Sequence, residues 1–360
     1  MAAPGKISSI YIYILSVCVM ASCGQNDVPV IKMGKDINRT DTLGIESIAL
    51  RIDTITLRTD SLYDITLFGV SEDRMFGLTA EKVLVIMDRD GQVLKTSRRT
   101  GRGPGEFTNL GRAEYDPYNE EILLLDYWNK IIRLDTDGNL IEEIKNGNTS
   151  SIGDIRPLSK DRYAATGMSD YSREYCITIM DREINPVNRM LPLQNNAQKS
   201  NKGIIALEYM KVFNSKVLYK PFGEFTYYEL SDSIYSPYLT VDCGRYTLPP
   251  EMNVRVGDHA DKQNNFQIDE EFICGKYYFA QYLHEKGMCW YYDIFDISTG
   301  KRVSHFRYGM EEYKADTDEG FILRCGDQRY GIIPQFVKDN VLYWSRFNDD
   351  GTTTLFMISL

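Results

Sequence analysis

Few residues of this 360-residue chain are grouped as catalysis would require. The three histidines, His259, His284 and His305, lack the His-Glu-x-x-His spacing that sets two imidazoles on one helix face for zinc. No Gly-x-Ser-x-Gly elbow presents a nucleophilic serine. One compact group of candidates remains, in Thr100-Gly101-Arg102-Gly103-Pro104-Gly105-Glu106-Phe107. Arg102 offers a planar donor fork, Glu106 an acceptor and Phe107 an apolar face; the glycines permit unusual backbone angles and Pro104 stiffens the turn. Dinucleotide binding does not fit, because Gly-x-Gly runs into Pro-Gly and no helix follows to present its N-terminus to a phosphate. A ligand-binding role for Arg102, Glu106 and Phe107 therefore stands beside a structural one, in which Arg102 and Glu106 pair with each other or with a neighbouring element.

A different chemistry is written at the N-terminus. Lys6 is the only charge before an apolar run from Ile10 to Met20, a pattern expected of a secretory signal and too short for a spanning helix. The run ends in Met20-Ala21-Ser22-Cys23, which resembles the bacterial lipobox, where small residues admit the peptidase and the cysteine thiol receives diacylglycerol. Residues 1–22 are expected to be the signal peptide, Cys23 the lipidation site and residues 23–44 the lipid attachment and a polar tether. Of the remaining cysteines, Cys176, Cys243, Cys274, Cys289 and Cys325 are odd in number and show no Cys-x-x-Cys spacing. Each sits in or beside an apolar run, so buried free thiols are expected, with one disulfide left open.

Composition bounds the partners. There are 41 Lys+Arg against 51 Asp+Glu, and 43% of residues are hydrophobic, as in ordinary folded proteins. The net charge of −10 disfavours nucleic acid, which needs a concentrated positive face.

The elements that must carry these residues read as strands. Alternating or short apolar runs broken by Asp, Gly and Asn turns dominate, and helical stripes are scarce. The run from Lys82 to Met87 leads into Asp88-Arg89-Asp90-Gly91, and that from Ile122 to Leu134 into Asp135-Thr136-Asp137-Gly138. Gly91 and Gly138 stand 47 residues apart, and each Asp-x-Asp-Gly joins two strands with glycine at the positive-φ position. A calcium loop would need a further acid before the glycine and a glutamate after it, and both are missing. Looser versions of the phrase begin near Tyr175, Phe225, Trp290 and Val341, giving six units. A period of about 50 residues built from short strands predicts an all-β, six-bladed β-propeller over residues 45–360. Gln194–Gly203 and Met252–Asn265 read as loop insertions. The last unit lacks a strand and an unclaimed one, Ile48 to Leu57, lies upstream, so an N-terminal strand is expected to complete the last blade. Adjacent tyrosines, Tyr227/Tyr228, Tyr277/Tyr278 and Tyr291/Tyr292, point to opposite faces of their strands; one of each pair is expected to pack between blades and the other to face outward.

The octapeptide Thr100–Phe107 resembles the Gly-Arg-Gly-Pro-Gly-Glu-Phe/Tyr signature of six-bladed β-propeller lipoproteins common in Bacteroidetes, relatives of NHL-repeat propellers. Tyr227 to Tyr238, then Val241-Asp242-Cys243-Gly244 and Leu248-Pro249, is similar to that family's fourth-blade pattern, with Cys243 where a glycine is usual. The resemblance implies a propeller fold and an outer-membrane, lipid-anchored location in the cell envelope; it supplies no catalytic residues. Only Asp27 follows Cys23 closely, so the acidic surface-export signal of some such lipoproteins is weak and the periplasmic or surface side stays undecided. The expected function is a binding or scaffold propeller that recognises a glycan, peptide or protein through top-face loops, with no cofactor and no metal ligands nominated. The alternative is a lactonase- or lyase-like propeller enzyme with a metal in the central tunnel.

Overall fold

The computed structural model describes residues 28–35, 43–57, 65–127, 130–145, 147–148, 152–167, 174–193, 210–221, 224–247, 265–284, 289–309, 319–348 and 350–360. Two strands precede the first blade, β1 (Val30–Lys32) and β2 (Arg51–Leu57). Blade 1 is built from β3 (Ile65–Val70), β4 (Arg74–Thr79), β5 (Val83–Asp88) and β6 (Val93–Arg98). Blade 2 follows with β7 (Leu110–Asp116), β8 (Glu121–Asp126), β9 (Lys130–Asp135) and β10 (Leu140–Ile144). Blade 3 has β11 (Ile152–Ser159), β12 (Arg162–Gly167), β13 (Tyr175–Met180) and β14 (Pro186–Pro192). In blade 4 come β15 (Lys211–Phe213), β16 (Lys216–Tyr219), β17 (Thr226–Leu230) and β18 (Tyr235–Asp242). Blade 5 holds β19 (Gln267–Cys274), β20 (Tyr277–His284), β21 (Cys289–Asp296) and β22 (Lys301–Gly309). A hairpin, β23 (Phe321–Cys325) and β24 (Gln328–Ile332), then precedes blade 6, whose own strands are β25 (Phe336–Lys338), β26 (Val341–Phe347) and β27 (Thr353–Ser359).

Strand order makes this a six-bladed propeller. Each blade is an antiparallel meander whose first strand contacts the first or second strand of the next, so β3, β7, β11, β15, β19 and β25 ring the central tunnel. The expected closure is present: β2 pairs antiparallel with β27 from Arg51↔Ser359 to Leu57↔Thr353 and becomes the outer strand of blade 6. The two chain ends thus share one sheet, and the edge of β27 is covered.

The described residues form six hydrophobic clusters, one for each pair of neighbouring blades. Both faces of a blade are consequently buried, which explains strands such as β8, Glu121–Asp126, with no exposed position. This corrects the reading of the tyrosine pairs. Tyr278 and Tyr291 lie between blades 4 and 5, while Tyr277 and Tyr292 lie between blades 5 and 6. Opposite faces of the middle strands of a blade are both interior.

The repeated turns are self-sufficient. Asp88 Oδ1 accepts from Gln92 N at 2.8 Å, Asp135 Oδ1 from Asn139 N at 2.7 Å and Asp181 Oδ1 from Asn185 N at 2.8 Å. Their carboxylates are used by their own backbone. Gly91 has φ +83°, and a Cβ there would stand 2.5 Å from Ile55 Cγ2, so the first turn needs glycine both for its angle and for the close approach of the closing strand.

Two features were not legible. Residues 23–44, read as tether, include β1, which pairs in parallel with β18 and buries Ile31 completely, as Met33 just beyond it is buried. The strand is too short for its alternation to be distinguished from coil. The hairpin β23–β24 wedges beside blades 5 and 6, with Phe321 packed 5.2 Å from Phe279 and 5.4 Å from Tyr292 between ring centroids. Cys23, the signal segment, His259 and the insertion Gln194–Gly203 lie outside the described residues, as does Met252–Asn265 except for Asn265. Among the described residues no helix is long and apolar enough to cross a membrane.

Candidate functional site

Charged residues inside the innermost strands define the site. A tunnel-lining strand has one edge on open space, so a charge there can be solvated or paired across the tunnel wall where a position on a middle strand such as β8 would bury it. In β7 these are Arg112 and Glu114; in β11 they are Asp154 and Arg156. Arg112 Nε lies 3.3 Å from Asp154 Oδ1, and Arg156 Nε 3.5 Å from Asp154 Oδ2. The Arg156 guanidinium donates from Nη1 to Glu114 Oε2, joining blades 2 and 3 across the tunnel wall. Asp154, fully buried, also accepts from the backbone N–H of Met210 at 2.8 Å and so reaches blade 4.

Burial sets the protonation of these acids. It pushes the Glu114 carboxyl well above the usual range, against the pull of Arg112, and Asp154 and Asp116 push it the same way. Asp154 is raised as well, burial again outweighing Arg112. Ion pairing to two arginines does not repay the loss of water around Glu114.

Two cavities meet at this cluster. The upper one, about 280 Å³, opens on the face that carries the loops from outer to inner strands. Its wall includes Arg112, Arg156, Glu114, Lys82, Phe68 and Phe336. The lower one, about 80 Å³, opens beside Tyr118, Asn214 and Lys338. Glu114 and Phe336 line both, so these two side chains form the waist of the tunnel.

The octapeptide lies elsewhere. Gly105 N donates to Glu143 on β10, and Arg99 donates to the carbonyl oxygens of Gly105 and Gly138, fixing the loop along the outer strand of blade 2 and not at the tunnel mouth. Glu106 turns back on its own loop, accepting from Gly103 N at 2.7 Å. Phe107 is 3% exposed within the cluster between blades 1 and 2, and its backbone N–H donates to Arg99 O at 2.8 Å. Arg102 is exposed to solvent and does not pair with Glu106, whose carboxylate is taken by Gly103. The loop is a blade-to-blade staple whose arginine of consequence is Arg99, one residue outside the motif.

Further buried polar groups hold other blades. Asp293 accepts from Tyr282 Oη at 2.8 Å and is bonded to His305 Nδ1, with Arg302 Nη2 at 3.2 Å. The ring of His284 sits 5.0 Å from those of Tyr246 and Phe266. Burial would raise Glu271, but Lys220, assisted by Tyr278, brings it below the ordinary range. Among the described residues no three His, Cys, Asp or Glu side chains are grouped to hold a metal ion.

Sequence reasoning missed Arg112, Glu114, Asp154 and Arg156. The signal was there: charges two residues apart inside runs that otherwise read as buried strands.

A closed ring of six four-stranded blades with a polar tunnel is the β-propeller class. Residues 28–346 match the domain of unknown function DUF4934, and the chain belongs to that family. No curated protein matches it. It is similar to a candidate exported protein, BF0058, from Bacteroides fragilis, at 12% identity and a TM-score of 0.65, covering 92% of this chain and 99% of that one. A member of the DUF4221 family from Bacteroides vulgatus is also similar, at 12% identity and a TM-score of 0.54, covering 86% and 97%. At these identities the likeness is one of fold.

Proposed function

We propose that the protein is an envelope-anchored binding propeller whose top face recognises a glycan, peptide or protein partner. The observation that carries this reading is the tunnel itself, which opens on that face into a polar cavity and is closed at its waist by Glu114 and Phe336. A rigid ring presenting loops around such a recess is built to hold something. The anchor is the Cys23 lipid, and the similarity to a candidate exported protein supports a location outside the cytoplasm. β1 begins at Val30, seven residues after Cys23, and pairs with the outer strand of blade 4, so the chain available as a tether before the fold is short.

Two measurements test this. Cys23→Ala should move the protein from the membrane to the soluble fraction; unchanged sedimentation defeats the anchoring. Purified full chain should bind selected members of a glycan and peptide array, and a blank array defeats the recognition reading.

A further inference from the structure

The described charged residues on the wall of the upper cavity are mostly cations. Arg112, Arg156 and Lys82 line it, and among the described lining residues Glu114 is the only acid. The side chain of Arg112 is 27% exposed and lines this cavity. Arg156 is 95% hidden, and its Nε finds no hydrogen-bond acceptor among the described residues, although the Asp154 carboxylate lies near. Gln335 has its Oε1 held by Ser345 Oγ at 2.9 Å, which turns the amide nitrogen into the remaining polar group of that side chain. Among the described charged side chains of this wall, donors outnumber acceptors. Phe68 and Phe336 supply apolar surface on the same cavity.

We propose that this cavity binds a small carboxylate-bearing molecule of monosaccharide or amino-acid size, its carboxylate held by Arg112 and Arg156 and its body against Phe68 and Phe336. A guanidinium fork is the geometry that carboxylates accept best, and two arginines stand on this wall. A volume of about 280 Å³ admits one sugar ring or one amino acid and excludes a folded partner. The tendency of Glu114 to hold a proton works in the same direction, since a neutral carboxyl does not repel the ligand. In an acidic protein such a site selects by local field and not by overall charge.

This inference rests on the binding reading above and names the chemistry of its ligand. The test titrates the purified full chain with glucuronate and with N-acetylphenylalaninate, the two sources of such a carboxylate, and with glucose and a methyl ester as neutral controls. At least one carboxylate should bind with a dissociation constant at or below about 1 mM, and the neutral compounds should bind at least about tenfold more weakly. Arg112→Gln and, separately, Lys82→Gln should weaken the carboxylate by about tenfold and less than tenfold respectively, with melting temperature as the check that each variant is folded. Equal binding of glucuronate and glucose overturns the proposal, as does full-strength carboxylate binding by folded Arg112→Gln. Array binding that survives Arg112→Gln while no carboxylate binds also overturns it, yet leaves the recognition reading intact. A blank array together with no carboxylate binding defeats both.

Discussion

Arg302 donates from Nη2 to the carbonyl oxygen of Met33 at 2.7 Å, a bond that spans 269 residues of sequence. The same guanidinium lies 3.2 Å from the buried Asp293 carboxylate, so the N-terminal segment completes a polar network inside blade 5. Ser304 Oγ likewise donates to Leu43 O. Within the stretch that resembles a tether by composition, residues 29–35 and 43–44 are thus part of the fold, and Pro29 O accepts from Thr240 N at 2.9 Å.

Ile31 tests this docking, because it is fully buried against blades 4 and 5. Ile31→Ala should lower the unfolding free energy by about 2–5 kcal/mol, the cost of an aliphatic cavity in a core. Chemical denaturation measures it. A change within about 0.5 kcal/mol, as at an exposed position, would mean that β1 is not held in solution.

The octapeptide gives a graded set. Arg102→Ala should change stability by less than about 0.5 kcal/mol, because its side chain is in solvent. Glu106→Ala should cost about 1–3 kcal/mol, by leaving the half-buried Gly103 N–H without its acceptor. Arg99→Ala should cost at least as much, since two carbonyl oxygens lose their donor. Urea midpoints of the three variants decide it, and an Arg102 variant that melts below the other two would reverse the assignment.

The fold was legible because its repeat is written in turns. Asp88, Asp135 and Asp181 each accept from the residue four positions on, and that local requirement shows in sequence whatever surrounds it. The closing strand was legible for a related reason: seven residues of β2 alternate against a blade one strand short. The site was not. Arg112 and Asp154 are 42 positions apart and meet only because blades 2 and 3 sit side by side around the tunnel. The glycine-rich octapeptide drew attention because unusual backbone is conspicuous in sequence, but here the backbone serves a staple. Where Tyr277 and Tyr278 both turn inward, alternation misled, since it assumes one solvent-facing side that a blade does not have.

Cysteine reactivity follows from burial. Cys176, Cys243, Cys274 and Cys289 are buried and Cys325 is partly exposed, all as free thiols. Burial pushes Cys243 and Cys274 up to about 12, which leaves almost no thiolate at pH 8, about four units lower. A thiol reagent at that pH should label Cys325 first in the native protein and the other four only after unfolding. Fast native labelling of Cys243 would show that the interface between blades 4 and 5 opens.

The last expectation concerns the waist of the tunnel and the sign of its pH dependence. Glu114 faces Arg112 and Asp116 on its own strand and Asp154 and Arg156 on β11, with Lys82 and Lys338 lining the cavities on either side. Burial raises its carboxyl well above the unfolded value, so between those two values the native state holds a proton that the unfolded chain has lost. Stability attributable to Glu114 is therefore fully present below the unfolded pKa, near 4.3, and declines as pH rises toward the folded one. Glu114→Gln keeps an acceptor for Arg156 and cannot ionise. Relative to the native protein, its urea midpoint should be lowest near pH 5 and should rise, to equal or exceed that of the native protein, at pH 8. Asp154 is raised by the same cause and remains in both proteins, so it cancels in the difference. A variant destabilised by the same amount at both pH values would show instead that Glu114 is ionised in the folded protein and that its pairing with Arg156 outweighs burial.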